Sequence, residues 1–397
     1  MDLSFGAEYI NYREEVREFI DKYKKEAPTQ SYNPSKEAKE WQKKLIKHGF
    51  FARTIPKQYG GHGGQPDIIK SRIVAEEFAK AGVSAGLSGQ GVSMLVPTLM
   101  EMGTEDQKQK FIKPTLYGDM IWCQGYSEPE AGSDLASLRT KAVLDGDEWI
   151  INGQKIWTSG AHIADWMFCL VRTEPDAKKH KGISFLLLKM DTPGVEVRPL
   201  VDMTGKANFN ETFFSDVRVP CDQIVGKRGE GWLVANSILG HERDSLGDPN
   251  ATLARLHALM DLMKTETIAG KRIIDNPIYQ DRLMRIQGRV MAMRYNDLRI
   301  LSAKLNNKED TKLARLIVKL QGTELRHDLE ALAIDAMGEI GIGYGEENPY
   351  LRGKGSWQAQ YMFYLGLIIG GGTSQIQKNI IAERGLGLPK EPKTLND

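Results

Sequence analysis

The sequence predicts an α+β multidomain protein with an N-terminal helical domain, a middle antiparallel β-barrel or sandwich, and a C-terminal four-helix bundle. Three observations predict this order. Apolar residues first recur at helical spacing, short β-rich runs divided by turn residues follow, and helical spacing then returns. The expected domains are residues 1–121 for the first helical part, 122–231 for the β-domain and 232–397 for the bundle.

The N-terminal domain is predicted from amphipathic helices. A loop rich in glycine, YGGHGGQP at 59–66, divides the helical patterns. The first pattern should bury one face, which carries Ile10, Val16, Phe19, Ile20 and Tyr23.

The β-domain is predicted from strands and turn dipeptides. Asp145-Gly146 and Asn152-Gly153 both favour the positive φ angles of hairpin turns. No helix-length run separates the strands, which favours an antiparallel arrangement. Further strands are predicted in WMFCLVRT, ISFLLLKM, VEVRPL and ETFFSDVRV.

The C-terminal domain is predicted from long amphipathic segments that suit an antiparallel bundle. They cover roughly 232–268, 279–305, 310–338 and 356–385.

Composition excludes several classes of function. The 397 residues include 53 Lys plus Arg and 52 Asp plus Glu, so a net charge of +1 gives no attraction to nucleic acid or anionic membranes. The three cysteines lack metal-site spacing, which predicts no metal centre and a reducing, cytoplasmic location. No signal peptide or membrane span is predicted.

Two motifs lie around the start of the β-domain. YSEPEAGSD at 126–134 offers small residues and hydroxyls to a flat ligand, or it is a surface turn. KIWTSG at 155–160 offers an aromatic face and hydroxyl donors, or it is ordinary strand packing.

Two further motifs lie in the bundle. GGGTSQIQ at 370–377 presents backbone amides to a phosphate or carbonyl, or it is a hinge between helices. Glu242-Arg243 lies on the first bundle helix, where such a pair is either a structural ion pair or part of a catalytic site.

In this order and spacing, the four motifs resemble the acyl-CoA dehydrogenase family over nearly the full chain. The resemblance implies FAD, an acyl-CoA thioester and the helix–sheet–helix fold. It implies that the FAD-binding residues are Gln124, Tyr126, Ser127, Gly132, Ser133, Trp157, Thr158, Ser159, Thr373 and Gln375. It implies substrate contacts from Ser133, Arg243, Gly371 and Gly372.

The same resemblance assigns the catalytic base. Many family members carry a catalytic Glu where this chain has Gly371. A branch that includes isovaleryl-CoA and long-chain enzymes instead has a Glu before an Arg on the first bundle helix. This chain matches that branch with Glu242, which is therefore the predicted base.

The chain also departs from the family pattern at two places. Glu266 stands where many members have an arginine that binds the FAD pyrophosphate of a neighbouring subunit. The family's Gln-x-x-Gly-Gly element is replaced by the sequence GEIGI at 338–342.

The resulting hypothesis is a dehydrogenase of fatty acid metabolism that forms a trans-2-enoyl-CoA. The resemblance implies electron transfer to an electron-transferring flavoprotein and a homotetramer or dimer. Two alternatives are an acyl-CoA oxidase or flavin monooxygenase on the same fold, and a noncatalytic, FAD-poor partner subunit.

Overall fold

The computed structural model describes residues 6–28, 33–306, 308, 311–345 and 348–390, without the side chains of 243–245. The chain forms two compact units that divide between residues 242 and 243. The first unit holds the N-terminal helices and the sheet, and the second holds most of the C-terminal helices.

In the described residues before the sheet there are five α-helices, and polar caps fix several of their starts. Ser35 and Asp67 each accept a backbone N–H three residues on. Thr104 and Gln107 form a reciprocal capping box. The helices are α1 (Ala7–Tyr23), α2 (Lys36–His48), α3 (Ile68–Ala81), α4 (Val96–Met102) and α5 (Glu105–Leu116).

The apolar face predicted for α1 is confirmed in its middle part. Val16, Phe19 and Ile20 are buried against α2 and α3, together with Trp41. Ile10 was wrongly placed in the core, since it is 55% exposed.

The middle part of the chain forms one eight-stranded sheet. Its strands follow the order β6-β7-β3-β2-β4-β5-β8, and β1 pairs with β4. The strands are β1 (Trp122–Gly125), β2 (Lys141–Asp145), β3 (Glu148–Lys155), β4 (Trp166–Arg172), β5 (Ile183–Lys189), β6 (Val195–Leu200), β7 (Phe209–Pro220) and β8 (Ile224–Val225). Most pairs are antiparallel, but β1 and β2 both pair with β4 in parallel, which the predicted arrangement did not include.

The turn predicted at Asn152-Gly153 is wrong, whereas the Asp145-Gly146 turn joins β2 to β3 as expected. Strand β3 runs through Asn152 because its side chain is used across the sheet. Its amide donates to the Asp216 carboxylate at 2.9 Å and accepts the Asp216 N–H at 2.9 Å. These bonds brace a bulge in β7, where the register shifts and Asp216 takes a positive φ of 50°.

The C-terminal part is helical, but three predicted long helices are interrupted, and the one at 310–338 is divided at Ile317. Asp248 caps a new helix that begins at Pro249, which cannot continue the preceding one. The glycines at 370–372 end another. The helices are α6 (Gly231–Leu246), α7 (Pro249–Thr265), α8 (Pro277–Leu305), α9 (Lys312–Leu316), α10 (Val318–Met337), α11 (Ser356–Ile369) and α12 (Ser374–Ile380).

Helix α10 is the centre of the second unit, where it packs against α7, α8 and α11. Leucines at 256, 259, 325, 329 and 332 fill the space between them and are almost fully buried. A short hairpin of β9 (Thr267–Ile268) and β10 (Lys271–Arg272) follows α7. Within the described ranges, no helix is both long and apolar enough to cross a membrane.

Candidate functional site

The two motifs around the start of the β-domain lie against each other in the first unit. The Ile156 N–H donates to the Ser127 carbonyl at 2.9 Å. The Lys155 ammonium donates to the Tyr126 carbonyl at 3.1 Å and to the Glu128 carboxylate at 2.8 Å. The end of β3 and the segment after β1 therefore form one surface.

Glu128 organises this surface from the inside. Its carboxylate also accepts the backbone N–H groups of Arg139 at 2.6 Å and Thr140 at 2.9 Å. Burial alone would raise the pKa of Glu128, but the Lys155 ammonium and these hydrogen bonds outweigh burial and lower that pKa. Lys155 is fully buried and Glu128 is 8% exposed, so each needs the other's charge.

The residues after β3 present an aromatic ring and a hydroxyl. Trp157 is 60% exposed and has a φ of 59°, a left-handed conformation that is costly for a residue with a side chain. Thr158 is held by Asn210, since the Thr158 N–H donates to the Asn210 carbonyl and the Asn210 amide donates to the Thr158 carbonyl. The buried Thr158 hydroxyl has no hydrogen-bond partner among the described residues. Ser159 is half-buried.

Glu242 acts electrostatically on the same segment. It lies half-buried on α6, at the end of the first unit. Burial raises the pKa of the Tyr126 hydroxyl well above its usual value, and the Glu242 charge raises that pKa further. The neighbouring Gln124 side chain opposes this rise in pKa, and its amide oxygen accepts an N–H of Gln90 at 3.4 Å.

The remaining residues of the first motif are on the surface. Gly132 and Ser133 are exposed. The turn after them is fixed by Arg172, whose guanidinium donates to the carbonyls of Ala136 at 2.6 Å and Leu138 at 3.2 Å.

The third motif lies in the second unit and forms the turn between α11 and α12. Gly371 and Gly372 have φ angles of 65° and 94°, which favour glycine. Thr373 caps α12 by accepting the Ile376 N–H, and Gln375 is exposed. The Gln377 amide donates to the Gly371 carbonyl at 3.1 Å.

Two charged residues from the sequence analysis remain. Glu266 is bound in a bidentate pair by Arg352, with contacts of 2.6 and 2.9 Å. The Glu266 carboxylate is thus neutralised within its own chain. The side chain of Arg243 lies outside the described residues.

Several residues of these surfaces were missed by sequence reasoning. Glu128 and Lys155 lie inside the predicted motifs, but their pairing spans 27 residues and has no local signal. Asn210 lies within a strand, and no sequence motif marked it as a residue that supports the site. Lys319, a cation in the apolar run LIVKL, was a visible anomaly.

Comparisons with known proteins identify the class of protein that this fold and these surfaces define. Family models of the acyl-CoA dehydrogenase N-terminal, middle and C-terminal domains match residues 7–119, 123–217 and 229–386. The chain belongs to the acyl-CoA dehydrogenase family. It is therefore an FAD-dependent oxidoreductase.

One curated protein and two solved structures show how far the similarity extends. The chain is 38% identical over 372 residues to acyl-CoA dehydrogenase IpdE1 of Mycobacterium tuberculosis, covering 92% of each chain. The solved structure of the Tcur3481–Tcur3483 steroid ACAD is 30% identical with a TM-score of 0.82, covering 98% of this chain and 100% of that chain. The ChsE4–ChsE5 complex from M. tuberculosis is 31% identical with a TM-score of 0.81 and the same coverage.

Proposed function

We propose that the protein catalyses FAD-dependent α,β-dehydrogenation of an acyl-CoA thioester, with Glu242 as the base that removes the α proton. One observation carries the assignment of the base. The Glu242 carboxylate acts on buried Tyr126 of the flavin motif, whereas Gly371, the alternative position, has no acid. A base close to an apolar, desolvated segment is suited to a weakly acidic carbon.

The residues of the first unit fit a flavin. The Thr158 hydroxyl is buried and lacks a partner within the described structure, so it has a free donor for a ring heteroatom. Trp157 holds a strained backbone that exposes its ring, as expected where a flat ligand is covered. When bound, FAD supplies the hydride acceptor that amino acid side chains lack.

The chain's own residues hold the thioester and move the proton. Glu242 accepts the proton from the carbon next to the thioester. The Gly371 N–H donates to the thioester oxygen, where negative charge develops as the proton leaves. Gly371 is half-buried and has no side chain, which leaves its amide approachable.

The acyl group we propose is bulky and carries rings derived from a steroid. The steroid ACAD among the similar structures supports this class, and its likeness extends over the whole chain. Electrons then pass to an electron-transferring flavoprotein, as the family resemblance implies.

The assembly we propose contains a second, related chain. The ChsE4–ChsE5 structure, to which this chain is similar, is a complex of two differently named proteins. Glu266 also argues against a symmetric homotetramer. In such an assembly this position would face the FAD pyrophosphate of a neighbouring subunit, but Glu266 carries a negative charge that is already paired with Arg352.

Anaerobic flavin bleaching tests the function. The purified protein is mixed with CoA thioesters of a straight, a branched and a steroid-derived acid, and the loss of flavin absorbance is timed. We expect the steroid-derived thioester to bleach fastest. Glu242→Gln should slow bleaching at least a hundredfold, consistent with the role of a general base. Glu230→Gln, at an exposed glutamate just before α6, is the matched control.

The outcomes separate the alternatives. Equal rates for Glu242→Gln and wild type would remove Glu242 as the base. Rapid peroxide formation in air without an added acceptor would indicate an oxidase. A colourless protein that takes up no FAD, alone or with a partner chain, would indicate a noncatalytic subunit.

A further inference from the structure

A buried lysine holds the glycine-rich turn of the second unit. Lys319 lies on α10 and is only 1% exposed. Its ammonium donates to the Gly372 carbonyl at 2.7 Å and to the Ile368 carbonyl at 3.2 Å. Burial of a lysine is unfavourable unless its charge is compensated, so its position in the core calls for a physical reason.

The two carbonyls lie on either side of Gly371. Ile368 is in the last turn of α11, and Gly372 lies one residue beyond Gly371. The Gln377 amide holds the Gly371 carbonyl between them at 3.1 Å. Because each peptide unit is planar, fixing a carbonyl also fixes the N–H of the next residue, so these contacts orient the N–H groups of residues 369, 372 and 373. The Gly370–Gly371 peptide, which carries the Gly371 N–H, is held in place between these fixed units.

The turn needs this external support because it cannot order itself. Three successive glycines have more conformational freedom than any other tripeptide, and that freedom is lost when the turn adopts one shape. An ammonium offers up to three donors, and its hydrogen bonds to carbonyls are stronger than those between neutral groups. A lysine therefore suits this position better than an amide or hydroxyl.

We propose that Lys319 is a positioning residue for the reaction: it holds the glycine turn so that the Gly371 N–H points at the thioester oxygen. This inference rests on the proposed function, in which that amide stabilises the developing charge. The positive charge on the carbonyl side of the turn also polarises its peptide groups, which strengthens their N–H donors.

The first test separates catalysis from binding. Lys319→Met should slow flavin bleaching by ten- to a hundredfold, because a misdirected donor stabilises the transition state less. The dissociation constant for the thioester should change less than threefold, since most of a CoA ester is bound elsewhere. Lys312→Met, at an exposed lysine on α9, should behave as wild type.

The second test detects contact with the oxygen itself. An enoyl-CoA product has the thioester carbonyl, whereas an alkyl-CoA thioether of equal length lacks it, and neither reduces the flavin. Spectral titration gives the ratio of their dissociation constants. Wild type should prefer the enoyl-CoA, and Lys319→Met should reduce that preference two- to threefold. Lys319→Arg, which keeps the charge, should retain part of it.

A loss of overall structure would lower affinity for both compounds and leave their ratio unchanged. An unchanged ratio in any FAD-loaded variant overturns the inference. If Lys319→Met does not load FAD, the Arg and Gln variants provide the same ratio. The proposed function fails separately, since then no thioester would bleach the wild-type protein.

Discussion

The ammonium of Lys155 and the carboxylate of Glu128 are 2.8 Å apart inside the β-domain, and together they join the two flavin motifs. The pair connects the end of β3 to the segment after β1. Because both side chains are buried, neither charge can be compensated by water if the other is removed. The surface proposed to bind FAD therefore depends on this contact.

Glu128→Gln should destabilise the protein and weaken FAD binding together. Removing one partner of a buried ion pair leaves an uncompensated charge and costs about 3 kcal/mol. We expect a lower free energy of unfolding in urea and a higher FAD dissociation constant. The control is Glu130→Gln, two residues away, whose pair with Arg139 is exposed. Equal stability of the two variants would contradict the role given to Glu128.

The same carboxylate predicts an acid-sensitive contribution to stability. The pKa of Glu128 is lower in the folded protein than in the unfolded chain, so its contribution is present above the unfolded pKa of about 4.3. It is lost as pH falls through the lower folded pKa. The difference in unfolding free energy between wild type and Glu128→Gln should therefore shrink between pH 5 and pH 3. A difference that grows on acidification would reverse the assigned sign.

The strained backbone at Trp157 should lower the stability of the apoprotein, and its exposed ring should contribute to FAD affinity. A non-glycine residue at its φ of 59° costs about 1 kcal/mol. Trp157→Gly removes that cost but also loses the edge-on contact with Phe209 and increases the freedom of the unfolded chain. We expect apoprotein stability close to wild type, with FAD affinity reduced about tenfold through the lost ring contact.

Trp157→Ala is the informative comparison, because it keeps the strain and loses the ring. It should be about 1 kcal/mol less stable than Trp157→Gly, with the same loss of FAD affinity. Urea unfolding of the apoproteins and flavin fluorescence titration measure both quantities. The strain account fails if the alanine variant is the more stable one.

A glutamate placed in the glycine turn should be able to replace Glu242 as the catalytic base. In a Glu242→Gln background, Gly371→Glu places a carboxylate where many family members have one. We expect flavin bleaching at least tenfold faster than in the Glu242→Gln variant alone, despite about 1 kcal/mol of strain at φ 65°. Gly370→Glu is the matched control, because its φ of −62° accepts any side chain but its position is one residue away. Equal recovery in both variants would show that position is unimportant.

Glu266→Arg should improve FAD retention by the assembled protein, in which this position would reach the FAD of a neighbouring subunit. A guanidinium at this position provides a charge-assisted contact for a pyrophosphate, and we expect FAD affinity to rise about tenfold. Glu266→Gln breaks the pair with Arg352 without adding a charge, so it serves as the control. Identical FAD content in the two variants would contradict the reading of Glu266 as a lost intersubunit ligand.

The fold was predictable because its main signals are local. The apolar spacing of α1 and the Asp145-Gly146 turn depend on neighbouring residues, and both predictions are confirmed in their main features. The Asn152-Gly153 turn failed because Asn152 is engaged by Asp216, which is 64 residues away. A turn dipeptide cannot report a contact of that range.

The candidate site was predictable only in part for the same reason. The flavin motifs were recognised from short stretches of sequence. The structure brings the motif at residues 126–134 against the motif at residues 155–160. The groups that hold them in place were not found. Asn210 supports Thr158 from another strand, and Lys319 supports the glycine turn from another helix. The role of Glu242 remains a prediction.

The bulge in β7 changes which positions of the strand face the interior. Before it, Asn210, Thr212 and Phe214 face the interior, and after it Val217 and Val219 do, so the inward parity changes from even to odd at Asp216. Deleting that single residue would restore a plain alternation in which the same side chains still face the interior, but the strand would lose the bulge, its added bend and the two bonds to Asn152. The extra residue therefore sets the local curvature of the sheet and not its inward face.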